Sequence, residues 1–220
     1  MKETKIITTL HKSTKRNYLE RMISEKVKCM KIAKKYGADY WDGDRKYGYG
    51  GYKYIPGRWE KVAIKIIKKY KLKNNSSILD VGCGKGFLLY EIKKKLPNIR
   101  IAGIDISKYG IENSKKEVRK FLFKKDITKS FKYKRKEFDL VFSINTLHNL
   151  EINHLINVIK EIQRIGKKHF ICNESYRNEK ELFNLQCWAL TCETFFSKKE
   201  WIWMYKNLSY TGHYEFIYFE

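Results

Sequence analysis

The sequence predicts an α/β fold: a doubly wound, mostly parallel sheet of six or seven strands with helices on both faces, preceded by an N-terminal helical and aromatic-rich lid. Three observations carry this. Short apolar runs alternate with helical stretches from Ser77 onward. The first run ends in a glycine-rich turn, Asp80-Val81-Gly82-Cys83-Gly84-Lys85-Gly86, and the second ends in an acidic residue, Asp105. Strands buried on both faces read as unbroken apolar runs, and helices carry the chain back between them.

Taken in order, residues 14–36 have helical spacing, with Tyr18, Met22, Ile23, Val27, Met30 and Ile32 recurring on it. Residues 41–59, WDGDRKYGYGGYKYIPGRW, place six large aromatics and five glycines in 19 residues and read as a loop. Pro56 suits the first turn of a helix reaching about Leu72. Strands are expected at 78–81, 99–104, 120–123, 138–142 and 169–173. The helices between them fall at 86–96, 107–118 and 151–165. Residues 178–206 read as a helical cover with an aromatic stripe, either core or a homodimer interface, and His213–Phe219 as a last strand. Residues 1–55 then form the lid segment and 56–220 the main domain.

Composition bounds the function. An apolar fraction of 43% in 220 residues supports a real core. No apolar run is long enough for a signal peptide or a membrane span, which predicts a cytoplasmic protein. Five cysteines without a C-x-x-C pair read as free thiols, and no histidine has companions at metal spacing, so no metal is expected. The formal charge of +23 points toward nucleic acid, but 38 Lys against 9 Arg reads first as a solvated surface.

The glycine turn is where chemistry enters. Glycines let a backbone turn sharply and approach a ligand closely, and a carboxylate at the end of the next strand can accept both hydroxyls of a ribose. Phe87 stands where the dinucleotide pattern G-x-G-x-x-G wants its third glycine, and the G-x-x-x-x-G-K-[ST] phosphate loop is absent. ILDVGCGKG, followed in order by IAGIDIS, KKDIT and FDLVFSINTLHNL, resembles the four motifs of the class I, Rossmann-like S-adenosylmethionine-dependent methyltransferases, over about residues 56–175.

That resemblance implies S-adenosyl-L-methionine as cofactor. Asp80 and the turn through Gly82, Cys83, Gly84 and Gly86 would hold its methionine end. Asp105, with Ile106 beside it, would hold its ribose. Asp126 and Ile127 would face its adenine, and Ser143 to Asn145 would border the sulfonium. The family fold usually closes with an antiparallel seventh strand, for which this chain offers no second clear segment.

Methyl transfer needs an aligned acceptor, exclusion of water and, for an oxygen acceptor, a base. His148 and Glu174 are the catalytic candidates, each following a strand, with structural roles as the alternatives. Substrate contacts are expected from Arg45, Tyr47, Tyr49 and Tyr52 of the lid, and from Asn149, Tyr176 and Arg177. Those basic and phenolic groups favour a small anionic metabolite or surface-glycan precursor, methylated on oxygen. No [DN]-P-P-[YF] motif for exocyclic base amines is present. An RNA (tRNA or rRNA) or protein methyltransferase is the alternative, and a non-catalytic cofactor-binding module the third.

Overall fold

The computed structural model describes residues 1–50 and 52–220; Gly51, inside the aromatic stretch, lies outside them. The chain opens with strand β1 (Lys2–Glu3) and four short helices, α1 (Thr8–Lys12), α2 (Tyr18–Ile23), α3 (Lys26–Ala33) and α4 (Ala38–Asp42). A 3-10 turn follows at Arg45–Tyr47. The alternating part comprises α5 (Glu60–Tyr70), β2 (Ser77–Val81), α6 (Phe87–Lys95), β3 (Arg100–Asp105), α7 (Lys108–Glu112), α8 (Lys116–Arg119) and β4 (Leu122–Lys124). It continues through β5 (Phe138–Ile144), α9 (Ile152–Ile165), β6 (Gly166–Glu174), α10 (Glu179–Trp188), α11 (Lys198–Asn207) and β7 (His213–Ile217).

The seven strands lie in the order β1-β7-β6-β5-β2-β3-β4, and every pairing is parallel. Alternation along β2 sends Ile78 into one core and Leu79 and Val81 into the other, because successive side chains of a strand face opposite sides. One core holds the apolar stripes of α5 and α6, the other those of α9 and α11. Among the described residues no helix is long and apolar enough to cross a membrane.

Several boundaries differ from the sequence reading. The helix expected over 14–36 is broken: Asn17 caps α2 by accepting from the Glu20 N–H, and Glu25 adopts a left-handed conformation before α3. Pro56 falls in a turn rather than a helix, since Gly57 at φ +77° cannot continue one and α5 starts three residues later. The helix expected over 107–118 is split into α7 and α8 by extended backbone at Lys115.

The outer edge of the sheet also departs from the family pattern. β7 runs parallel to β6, and beyond it the edge is taken by Lys2–Glu3 from the other end of the chain. What holds that end is a charge inside the protein. Glu215 of β7 is buried at 1% exposure. Its carboxylate accepts the backbone N–H groups of Ile6 (2.6 Å), Ile7 (2.9 Å) and Thr8 (2.7 Å) and the Thr8 hydroxyl (2.6 Å). A buried carboxylate is tolerated only when its lone pairs are taken up, and charge-assisted bonds to amides are the strong kind. Ile6 and Ile7 thereby enter the core beside α5. Glu215→Gln replaces acceptors by an amide that faces donors. It should cost about 2 kcal/mol, read as a lowered unfolding midpoint, with amide exchange accelerated at residues 5–12.

Candidate active site

All five strand ends that matter point the same way, and the turns beyond β2, β3, β4, β5 and β6 converge on one cavity of about 400 Å³. That is within the usual size range for small-molecule sites. Parallel strands with returning helices force this arrangement, since every carboxyl end emerges on one side of the sheet.

At one end stand the glycine turn and three carboxylates. Asp105 accepts from the Gly84 N–H and the Ser107 N–H, both at 2.8 Å, so one side chain fixes two strand-end turns. Burial pushes its carboxyl up, and those amide bonds oppose the rise. Asp80 is pushed well above the usual carboxylate range by burial and by the charge of Asp105. Both line the cavity. Asp126 accepts from the Thr128 N–H (2.9 Å) and hydroxyl (2.7 Å), and these bonds hold its carboxyl low. Gly82, Gly84 and Gly86 all take positive φ, which side-chain-bearing residues rarely adopt.

Over this end lies the aromatic segment. The Trp41 ring packs so closely on the glycine turn that a Cβ at Gly84 would stand 2.7 Å from it. Its indole N–H donates to Ser107 Oγ at 2.7 Å, and the Ser107 hydroxyl in turn donates to the Tyr36 carbonyl at 2.6 Å. Lys85, buried within the turn, donates to both oxygens of Asp42, at 2.6 and 2.8 Å, and Tyr109 donates to the same carboxylate at 2.9 Å. Tyr40, Trp41 and Tyr52 pack ring on ring, with centroids 4.6–5.1 Å apart.

The other end holds His148 and Glu174. His148 Nε2 lies 3.4 Å from Glu174 Oε2, and both side chains are buried. Charge is disfavoured on each for the same reason. Burial lowers the imidazole to about 3 and raises the carboxyl to about 7, Arg16 opposing the second shift. Glu174 Oε2 and His148 Nδ1 have no hydrogen-bond partner among the described residues. Asn145, held left-handed at φ +52°, joins the lining, as do Asn149 and Thr146. The walls here are Ile7, Leu10, His11, Thr14, Arg16, Trp188 and Phe219. His11 is lowered to about 4, first by burial and then by Arg16, so it too is neutral.

Of the residues singled out from sequence, Asp80, Gly82, Cys83, Gly84, Asp105, Ile106, Asp126, Ile127 and Asn145 line the cavity, with His148, Glu174, Tyr49, Tyr52 and Asn149. Gly86 and Ser143 are not in the lining. The Ser143 hydroxyl donates to the Val81 carbonyl at 2.8 Å, inside the sheet. Arg45, Tyr47, Tyr176 and Arg177 are not in it either. Tyr47 packs in the N-terminal cluster around Tyr40, and Tyr176 packs in the cluster around Trp188. Arg177 is committed to Glu181 and Glu220 and lies over the Tyr218 ring. Tyr49 lines the cavity, yet its hydroxyl is engaged: it accepts from the N–H groups of Leu190 (2.7 Å) and Thr191 (3.0 Å) and lies 3.0 Å from Thr191 Oγ1.

Sequence reasoning passed over Arg16, His11, Trp188 and Phe219, which come from three distant segments and carry no motif. One signal was available. Arginine is scarce in this lysine-rich chain, 9 against 38, so each one is a candidate for a placed guanidinium.

The sequence pattern of the family described as "Methyltransferase domain" matches residues 72–213. Ribosomal RNA small subunit methyltransferase C of Buchnera aphidicola subsp. Schizaphis graminum is 32% identical over 120 residues, covering 50% of this chain and 36% of that protein. The chain therefore spans about a third of that relative's length. Among solved structures, YcgJ of Bacillus subtilis superposes with a TM-score of 0.53 at 16% identity, over 66% of each chain. A SAM-dependent methyltransferase of Aquifex aeolicus gives 0.50 at 19%, over 71% of this chain and 88% of that one. The [4+2]-cyclase SpnF gives 0.53 at 17%, over 77% and 61%. At such identities the structural likeness shows the fold.

Because Glu174 holds its proton more firmly when folded, the stability it contributes is full below about pH 4.5 and is lost as pH rises through about 7. Glu174→Gln should match the wild type near pH 4.5 and exceed it at pH 8, by on the order of 3 kcal/mol, in denaturant titrations at the two pH values.

Proposed function

The chain belongs to the methyltransferase-domain family, whose methyl donor is S-adenosylmethionine, and we propose that it methylates an oxygen of a small anionic metabolite. The observation that carries this reading is the pair His148 and Glu174, buried side chains 3.4 Å apart that both line the cavity. Burial disfavours charge on both, which leaves a neutral imidazole and a carboxyl that titrates near neutrality beside one another in the lining.

The cavity's chemistry fits the donor. Asp80 and Asp105 are buried carboxylates facing one space with no described basic side chain at ion-pair distance, a setting that favours a cationic ligand bearing hydroxyls. Asp80 and the Gly82–Gly86 turn would hold its methionine end, Asp105 its ribose, and Asp126 with Ile127 its adenine. Bound there, S-adenosylmethionine supplies an electrophilic methyl group on a positively charged sulfur.

The protein's part is to orient the acceptor and take its proton. Glu174, titrating near neutrality, can accept a proton from an acceptor hydroxyl in the working pH range. His148, neutral and beside it, is placed to hold the same hydroxyl, with Asn145 and Asn149 completing a polar rim. Residues 1–55 act as the cover that excludes water, and residues 56–220 as the catalytic body.

A second reading, an RNA acceptor, is favoured by the 32% identity to a ribosomal RNA methyltransferase and by the charge of +23. Against it, the end of β5 reads Ser143-Ile144-Asn145-Thr146, without the [DN]-P-P-[YF] pattern suited to base amines. Methyl-labelled cofactor offered with small phosphorylated or carboxylated metabolites and, separately, with unmodified ribosomal RNA decides between them. Label is expected in the small-molecule fraction; label in RNA alone would remove the first reading.

Two variants test the residue roles. Asp105→Ala should weaken S-adenosylhomocysteine binding at least tenfold in calorimetry. In the wild type kcat/KM should rise with pH through an inflection near 7, and Glu174→Gln should lose the inflection and about 10²-fold in rate.

A further inference from the structure

Arg16, Arg21 and Arg45 gather on one ring. Their guanidinium carbons stand 5.4, 4.5 and 5.6 Å from the centroid of the Trp188 ring. Arg164 and Arg177 each pair with carboxylates, but among the described residues no carboxylate comes within ion-pair distance of these three. Glu174 shares the cavity with Arg16 and acts on its charge, yet it stays beyond that distance.

The three are not equivalent. Arg21 is buried and uses its fork on three carbonyls, those of Trp188 (3.3 Å), Arg45 (2.7 Å) and Gly48 (2.7 Å). It is a clamp that joins α2, the aromatic segment and the end of α10. Arg16 donates to the Thr14 carbonyl (3.0 Å) and, at 3.3 and 3.4 Å, to the His11 carbonyl, and meets His11 Nδ1 at 3.1 Å, while its buried Nε has no partner among the described residues. Arg45 is exposed, and among the described residues its side chain makes one hydrogen bond, at 3.5 Å to the Lys15 carbonyl. Arg16 and Trp188 line the cavity, as does Gly50, where a Cβ would stand 3.4 Å from Arg45 Nη1. The π face of the indole offsets part of the mutual repulsion but supplies no counter-charge.

We propose that Arg16 and Arg45, held against Trp188 and braced by Arg21, bind a phosphate group of the methyl acceptor. This rests on the reading of the cavity as a small-molecule acceptor site and narrows its substrate to a phosphorylated compound. Planar guanidinium forks match tetrahedral oxyanions, and two of them on one ring can straddle a dianion that a single carboxylate would satisfy less well. The phosphate lies against the wall that Arg16 and Trp188 form, and the remainder of the acceptor reaches His148 and Glu174 in the same cavity.

Inorganic pyrophosphate and phosphate, with acetate as control, are titrated calorimetrically at constant ionic strength against wild type, Arg16→Gln, Arg45→Gln and Lys116→Gln. Lys116 carries the same charge at the β4 edge of the sheet. S-adenosylhomocysteine affinity, measured on each variant, reports that the fold survives. The expected result is pyrophosphate binding weakened at least tenfold by either arginine change and less than twofold by Lys116→Gln, with S-adenosylhomocysteine affinity kept throughout. Equal weakening in all three variants, or none in the arginine pair, would overturn the site and leave only diffuse attraction to a basic surface. Acetate bound as tightly as phosphate would overturn the phosphate assignment. Arginine-dependent pyrophosphate binding in a protein that methylates RNA and no small compound would instead remove the acceptor reading on which the site rests.

Discussion

One carboxylate organises the cavity. Asp105 takes an amide from the turn after β2 and another from the turn after β3, so two loops that parallel strands deliver side by side become a single rigid corner. Ser107, fixed by that bond, caps α7 and receives the Trp41 indole, and through Trp41 the aromatic segment is laid over the glycine turn. Lys85 adds a second tie through Asp42. The position of the aromatic segment over the glycine turn therefore depends on this corner.

The same exclusion of water shapes the electrostatics. His148, Glu174, Asp80 and Asp105 share one penalty, the cost of charge in surroundings that cannot solvate it. Amide donors repay it at Asp105, whereas Asp80 and Glu174 are left with it. The protein thus concentrates unrepaid electrostatic cost where ligands would go and removes it elsewhere, as Glu215 shows with its full set of donors.

The central sheet was legible because its signals are local. Ile78–Val81 is apolar on both faces, the glycines follow at once, and Asp105 stands at the next strand's end; each feature needs only its neighbours in sequence. The edge of the sheet was not legible. Lys2–Glu3 has no apolar pattern, and its place depends on Glu215, more than 200 residues away. The same holds for the cavity wall, where Arg16 meets Trp188 through a fold that neither segment announces. Tyr49 illustrates the limit at the level of one atom: its ring was readable as part of a cover, but the amides that occupy its hydroxyl belong to Leu190 and Thr191. Helix breaks at Glu25 and Lys115 escaped because side-chain periodicity continues across a single residue whose backbone does not.

The bond between Glu215 and residues 6–8 also sets an order of events during synthesis. A ribosome makes Ile6, Ile7 and Thr8 before Glu215, so their amides stay bonded to water until β7 has left the exit tunnel and brought in their native acceptor. Until then the leading segment carries two isoleucines and no place to bury them. The β2–β3 and β2–β5 pairings, by contrast, need no residue beyond 144. A nascent chain stalled before β7 would therefore present the glycine turn before the wall that Ile7 and Phe219 share is in place.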